Sequence, residues 1–272
     1  METSQVETPD ADQARIARAS IRSGQHTGPT RGMAPGFAQA NLVVLPELEA
    51  PDFQRFCALN PKPCPLLEVT EIGSPFLALM ADRADLRTDI PRYRVFRNGN
   101  LVAEPVDIVD WWRGDLVAFL LGCSFTFEWA LTQAGLLPAQ HLNVPMYITR
   151  WQCASVGRFA GPMVVTMRPF WPRELQRATQ ITERFPAMHG GPVHVGDPDE
   201  LGITALEHPD FGDPPVVEHG QVPVFWACGV TPQVVIQRAA LPLAIFHAPG
   251  HMFITDWSHT EFDMEEASDG QD

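Results

Sequence analysis

Proline sets the first limit on this chain: 26 of its 272 residues are proline, and a further 20 are glycine. Proline has no N–H to donate, fixes its own φ and disfavours a helical residue before it. Long uninterrupted helices and wide central ladders are therefore confined to a few windows. The breakers form no low-complexity tract and no repeat, so they mark the ends of short elements. At this length the chain can bury one large core or two small ones, and 45% apolar against 19% charged residues is the balance of an ordinary globular protein.

The windows between breakers read as follows. "ADQARIARASIRSG" is helical, with Arg15, Arg18 and Arg22 on one face and Gly24 ending it. "NLVVLP" is a buried strand, and "APDFQRFCALNP" a short helix stopped before Pro61. "YRVFRNGNLVAEP" is a hairpin turning at Asn98-Gly99. "DIVDWWRGDLVAFLLGCSFTFEWALTQAGL" reads as mostly helical, broken at Gly122 and closed at Gly135. From residue 141 the texture changes: "VPMYITR", "GPMVVTMRP" and "GPVHVGDP" read as strands, with the amphipathic helix "RELQRATQITERF" among them. "VPVFWACGVTPQVVIQRA" is a strand, a tight turn and a helix, and "PLAIFHAPG" and "HMFITDW" are closing strands. The alternation predicts an α/β fold in two parts. Residues 14–140 with 228–260 are expected to form a larger layered α/β domain. Residues 141–227 are expected to form a smaller inserted α+β domain, with 1–13 and 261–272 as flexible acidic tails.

Charge and residue usage exclude several functions. A formal net charge of −14 argues against a nucleic-acid partner, which requires a basic face. No apolar run approaches the roughly 20 residues that span a bilayer. The opening "METSQVETPDADQ" lacks the basic and apolar regions of a secretion signal, so a cytoplasmic protein without membrane attachment is expected. Lys62 is the single lysine beside eighteen arginines, and neither a phosphate-loop motif nor a pyridoxal-lysine context surrounds it. The five cysteines (57, 64, 123, 153, 228) form no CxxC pair, which predicts reduced thiols and no structural zinc site. A monomer and a homo-oligomer are equally compatible with the sequence.

Four stretches can carry chemistry. In "FWACGVTPQVV", Thr231 is read as an N-cap and Pro232 as the first helical residue. Cys228, Gly229 and Val230 then lie at a helix N-terminus, which suits a carboxylate or phosphate, or else simply form a tight packed turn. In "GCSFTFEWAL", Cys123 precedes a helix capped by Ser124, and Glu128 sits among Phe125, Phe127 and Trp129, an environment that raises a carboxyl pKa and suits a general acid. Cys123 also reads as a space-filling thiol. In "HGGPVHVGDP", His189, His194 and Asp197 are candidate acid/base groups, or metal ligands at a spacing that matches no familiar metal pattern. "FHAPGHMFITD" adds His247, His251 and Asp256. Arg168, ending the strand "VVTMRPF", either pairs with an internal carboxylate or grips a substrate carboxylate through its planar fork.

Taken together and in order, "GPT", "APGFAQANLVVLP", "DFQRFCALNPKPCPLLEV", "DLRTDIPRYRV", "GCSFTFEWAL", "VPMYITR", "GRFAGPMVVTMRP", "HGGPVHVGDP", "VPVFWACGVTPQ" and "HAPGHMFITD" resemble the signature blocks of the D-glutamate cyclase family, whose bacterial members carry the hydro-lyase name. The blocks run from about Gly28 to Asp256. The resemblance implies a two-part α/β fold and a carbon–oxygen lyase that needs no cofactor. Its substrate would be a small amino or hydroxy acid, with dehydration of D-glutamate to 5-oxo-D-proline as the family's assigned reaction. Under it, Arg168 or the amides of Cys228 to Val230 would neutralise the substrate carboxylate. Glu128 or His189 would protonate the leaving oxygen, and His194 or Asp197 would act as base. Two alternatives stand beside this: a non-catalytic binder of small carboxylates or phosphorylated metabolites, and a metal-dependent hydrolase using His189, His194 and Asp197.

Overall fold

The computed structural model describes residues 12–137 and 144–265. In chain order the main elements are α1 (Asp12–Arg22), β1 (Phe37–Pro46), α2 (Ala50–Leu59), β2 (Leu66–Val69), β3 (Tyr93–Arg97), β4 (Asn100–Ala103), β5 (Leu116–Gly122) and α3 (Phe125–Gln133). They continue with β6 (Met146–Gln152), β7 (Pro162–Phe170), α4 (Leu175–Glu183), β8 (His194–Val195), β9 (Val222–Ala227), α5 (Thr231–Ala239), β10 (Ala244–His247) and β11 (Phe253–Ser258). The predicted mixture of helices and strands in two parts is what the chain forms, and every strand pairing is antiparallel.

Seven strands make the larger sheet in the order β2-β5-β1-β10-β3-β4, with β11 sharing the β10 side of β1. Four make the smaller sheet in the order β6-β7-β9-β8, all drawn from the chain between residues 146 and 227. β1 is ten residues long and buried throughout, because both of its faces meet a core. Leu42 and Val44 point into one core, and Val43 and Leu45 into the other. β5 repeats the rule at period two: Leu116, Ala118 and Leu120 go one way, Val117, Phe119 and Leu121 the other. The first core continues into the smaller sheet through Phe170, Val224 and Trp226, so the two sheets close on shared apolar packing. The second core is covered by α2 through Phe53 and Phe56 and by α5 through Val235 and Ile236.

Leu116–Gly122 corrects the helical reading of "LVAFLLG". A short continuous apolar run has no period to separate helix from strand, and here pairing to β1 and β2 on both edges decides for the strand. Apart from a single 3-10 turn at Val109–Trp111, only Phe125–Gln133 is helical, and Gly135 at φ +69° ends it as expected. The Asn98-Gly99 turn also forms, with both residues at positive φ (49° and 78°) joining β3 to β4. Thr231 is not an N-cap. It is the first residue of α5, and its hydroxyl accepts from the Val164 amide (2.9 Å) and donates to the Val164 carbonyl (3.2 Å), tying the helix to β7. The chain beyond residue 261 is anchored for at least two residues. Phe262 packs in the first core, and Asp263 is buried in an ion pair with Arg184. At the other end α1 begins at Asp12, within the expected 1–13 tail; the remaining tail expectations, residues 1–11 and 266–272, lie outside the described residues. Among the described residues no helix is long and apolar enough to cross a membrane.

Candidate active site

Two strand-to-helix turns, one from each sheet, face a common cavity of about 330 Å3. β5 delivers Cys123 to the start of α3, and β9 delivers Cys228, Gly229 and Val230 to the start of α5. The backbone permits this approach only with glycine at two places. A Cβ on Gly122 would land on the Ala187 carbonyl oxygen, and one on Gly229 would stand 2.5 Å from Asn41 Nδ2. Asn41, one of two buried amides in the largely apolar β1, donates from Nδ2 to the Gly122 carbonyl at 2.6 Å and so fixes the first turn against the sheet.

Glu128 stands one turn into α3 and is almost fully buried. Its Oε1 accepts from Arg168 Nη2 and from the Ser124 hydroxyl (3.0 Å), and its Oε2 from Arg31 Nη1 (3.0 Å). Burial pushes this carboxyl up, but the two guanidinium charges and their hydrogen bonds outweigh it, and the pKa falls below the ordinary glutamate value. Glu128 is therefore an anion at neutral pH, not the proton reservoir its aromatic neighbours suggested. Arg168 is only 1% exposed; its guanidinium lies 5.1 Å from the Phe127 ring centre and 5.4 Å from that of Trp226. Of the two outcomes left open for Arg168, pairing with an internal carboxylate is the one realised, and Arg168 does not line the cavity. Two arginines do, Arg94 and Arg31, the latter stacked at 4.1 Å over Phe125.

The thiols of Cys123 and Cys228 both line the cavity. Each sulfur meets the N–H two residues ahead, of Phe125 and Val230 respectively, which favours the thiolate, but burial dominates. It drives Cys123 up to about 12, helped by the Glu128 charge, and Cys228 up to about 11. Both are neutral thiols at pH 7.

His189 also lines the cavity, in a left-handed backbone conformation at φ +78°. Such a φ is uncommon outside glycine and asparagine and persists only where its surroundings enforce it. Its Nδ1 lies 2.7 Å from the Lys62 carbonyl, which can only accept, so the neutral ring carries its proton there and keeps the Nε2 lone pair. Burial lowers its pKa to about 4; the Arg168 charge pushes the same way, while the carbonyls of Lys62 and Gly122 favour a proton on the ring. His247, on β10, is its counterpart. Its Nδ1 lies between the Leu42 amide, which donates to it at 3.1 Å, and the more distant Leu42 carbonyl at 3.4 Å; the shorter contact favours the tautomer with the proton on Nε2, and burial again lowers the pKa to about 4.

The other sequence candidates fall elsewhere. His194 Nε2 is 2.8 Å from the backbone carbonyl of Asp197, its ring packs beside Trp151 and Phe225, and Asp197 is exposed and caps a short turn through the Asp199 amide. Neither lines the cavity. His189, His194 and Asp197 do not converge, and among the described residues no three His, Cys, Asp or Glu side chains are placed to hold a metal ion. Arg31 and Asn41 were not among the sequence candidates, and Ser124 was named only as a helix cap, not as a partner of Glu128. Asn41 carried a signal, an amide beside the apolar run of a strand buried on both faces. Arg31 carried none, because it meets Glu128 across 97 residues of chain.

Comparison with known proteins adds the following. The D-glutamate cyclase family model matches residues 117–256, a span that includes both cavity-facing cysteines. A protein of Rubrobacter xylanophilus named "Putative hydro-lyase" is 61% identical over 92% of this chain and 98% of its own length. Namesakes from Bradyrhizobium diazoefficiens (53%, covering 93% and 94%) and Geobacillus kaustophilus (54%, covering 89% and 94%) are similarly related. Among solved structures, a nitrogen repressor-like protein of Methanococcus jannaschii aligns over 91% of this chain and 98% of its own at 9% identity with a TM-score of 0.36, too slight a likeness to bear on fold or function.

Proposed function

Since this chain belongs to the D-glutamate cyclase family, we propose that the cavity between the two strand-to-helix turns is the active site of a hydro-lyase that removes water from a small carboxylic acid. The observation that carries this reading is the Arg31–Glu128–Arg168 cluster at the mouth of α3. Two guanidiniums share one carboxylate, so the wall keeps a net positive charge beside a helix N-terminus. A substrate carboxylate seats against Arg31 beside the start of α3. That charge also stabilises the enolate-like anion formed when the proton next to the carboxylate is removed.

Elimination further needs a base and a proton donor. His189 is the base: its Nε2 is unprotonated at rest, and the carbonyls of Lys62 and Gly122 support the ring when it becomes charged. The donors are the His247 Nε2–H and the Cys123 thiol. As the carbon–oxygen bond breaks, the thiol proton passes to the departing hydroxyl, which leaves as water. The proton held by His189 then returns to the sulfur, whose high pKa draws it back, and the site is reset. Glu128 holds the two arginines in place and moves no proton. The family description names D-glutamate, and the same clamp and donors would serve closure to the lactam.

The test is a mass-spectrometric assay for loss of water from D- and L-glutamate and from hydroxy acids of four to six carbons. His189→Asn, which tolerates the left-handed backbone, is expected to lower turnover by about 10²–10⁴ with an unchanged melting temperature. Arg31→Ala is expected to raise KM steeply. A well-folded protein that releases water from none of these acids would overturn the reading.

A further inference from the structure

We infer that Lys62, the single lysine of the chain, is the positioning residue that keeps the His189 ring in its basic tautomer, acting through its side chain as well as its backbone. The inference rests on the reading of His189 as the base and names what holds it there. The Lys62 carbonyl meets Nδ1 of His189 at 2.7 Å. The Lys62 ammonium donates to the Gly191 carbonyl at 3.0 Å and to the Pro192 carbonyl at 3.3 Å. One residue thus grips the His189 segment on both sides of Gly190.

The segment needs that grip. His189 and Gly190 both stand at positive φ (78° and 66°), consecutive left-handed residues that persist only under external restraint. Upstream, Met188 is fully buried and the Gly190 amide donates to the Phe185 carbonyl at 2.9 Å. Downstream, just before β8, the Val193 amide donates to the Phe225 carbonyl at 2.8 Å. Between these anchors Pro192 has no N–H to give. Among the described residues only Lys62 donates to the Gly191 and Pro192 carbonyls. The other end of the clamp is rigid. Pro61 and Pro63 flank Lys62 with their own φ fixed. The Cys64 amide donates to the Asn60 carbonyl at 3.0 Å. The Asn60 side chain exchanges two hydrogen bonds with the Ala154 backbone, Nδ2 to the carbonyl at 2.9 Å and Oδ1 from the amide at 2.8 Å. The Pro65 carbonyl accepts from the Gly122 amide at 2.8 Å, which ties the turn to the end of β5 at the cavity. An imidazole acts as a base only through the nitrogen without the proton, and the partner of the other nitrogen decides which one that is. Lys62 is itself exposed, so losing its ammonium leaves the core intact and falls on the alignment of the ring.

The test compares Lys62→Met, which keeps the aliphatic stem and loses the donors, with Lys62→Arg, which keeps donors. Ring-nitrogen NMR of the full chain at pH 7.5 reads the His189 tautomer and the exchange of its Nδ1–H with water, and needs no substrate. The wild type and Lys62→Arg are expected to show the Nδ1–H tautomer alone. Lys62→Met is expected to populate both tautomers and to exchange Nδ1–H about tenfold faster, the equivalent of one lost hydrogen bond. Its melting temperature should stay within about 2 °C of the wild type, as for other surface substitutions. In the water-loss assay, Lys62→Met should lower kcat by about ten- to a hundredfold with KM unchanged, and Lys62→Arg should restore most of it. An unaltered tautomer and exchange rate in Lys62→Met overturns the inference, as does a Lys62→Arg variant as impaired as Lys62→Met. The two ideas fail separately. A tautomer shift in Lys62→Met with no turnover even in the wild type sinks the hydro-lyase reading alone, and wild-type turnover with an unmoved ring sinks the role of Lys62 alone.

Discussion

Glu128 and its two arginines show why removing one charge here differs from removing another. Arg168 is buried and its main counter-charge is Glu128, whereas Arg31 is about one-third exposed on its side chain. Breaking a buried pair by neutralising one partner typically costs about 3–5 kcal/mol, because the other charge is left desolvated. Glu128→Gln is therefore expected to destabilise the fold by that amount, lowering the melting temperature by on the order of 10 °C. Loss of turnover in this variant would then report a damaged site and not a missing acid. Pairing it with Arg168→Met should restore most of the stability, since the apolar side chain fits between Phe127 and Trp226. Arg31→Ala should change stability by no more than about 1 kcal/mol, as expected for a part-exposed ion pair, while weakening anion binding. Calorimetric melting of the three variants separates these outcomes. Equal losses for Glu128→Gln and Arg31→Ala would contradict the burial argument.

The elements around the site are set by close approaches that only glycine allows. Gly122 ends β5 against the Ala187 carbonyl, a backbone atom with no freedom to yield, so Gly122→Ala should cost about 3 kcal/mol or more through overpacking. Gly229 approaches the flexible end of Asn41 instead, so Gly229→Ala should cost about 1 kcal/mol but dislodge Asn41 from the Gly122 carbonyl and weaken ligand binding. Urea unfolding and ligand titration of the two variants measure the contrast, and a neutral Gly122→Ala would refute the geometry. Much of this level was legible in the sequence. The apolar run around "NLVVLP", the Asn98-Gly99 turn and the amphipathic helix after Pro172 all announce themselves through local pattern. "LVAFLLG" did not, because a strand buried on both faces loses the alternation that identifies strands. The same holds for the site. Cys123, His189 and Cys228 stand beside breakers that betray a turn, and the cavity gathers them. The Arg31–Glu128 contact and the divergence of His194 from His189 belong to chain-distant pairing, which no local pattern encodes.

Among the described residues, three buried histidines make the fold sensitive to acid. His189 and His247 stand at the cavity, and His259 lies beneath α3, stacked on Trp129 at 5.1 Å with Nδ1 3.2 Å from the Thr126 hydroxyl. Burial lowers each to about 4, against an unfolded value near 6.5. Between those pH values the unfolded chain binds protons that the folded chain refuses, so stability is complete above pH 6.5 and declines as the pH falls toward 4. Each histidine contributes about 3 kcal/mol over that span. Together they approach the whole stability of a typical domain, about 5–15 kcal/mol. Glu128, with its lowered pKa, acts in the same direction at still lower pH: its contribution is present above the unfolded glutamate value and is lost as the pH falls through its folded one. The urea midpoint is thus expected to be flat above pH 7 and to fall steeply from pH 6.5 to 4.5. His259→Gln, remote from the proposed chemistry, should flatten that slope by about a third of the histidine contribution and leave turnover at pH 7.5 unchanged. A midpoint independent of pH across this window would mean that the three rings are not held neutral by the fold, and the assignment of His189 as an unprotonated base would fall with it.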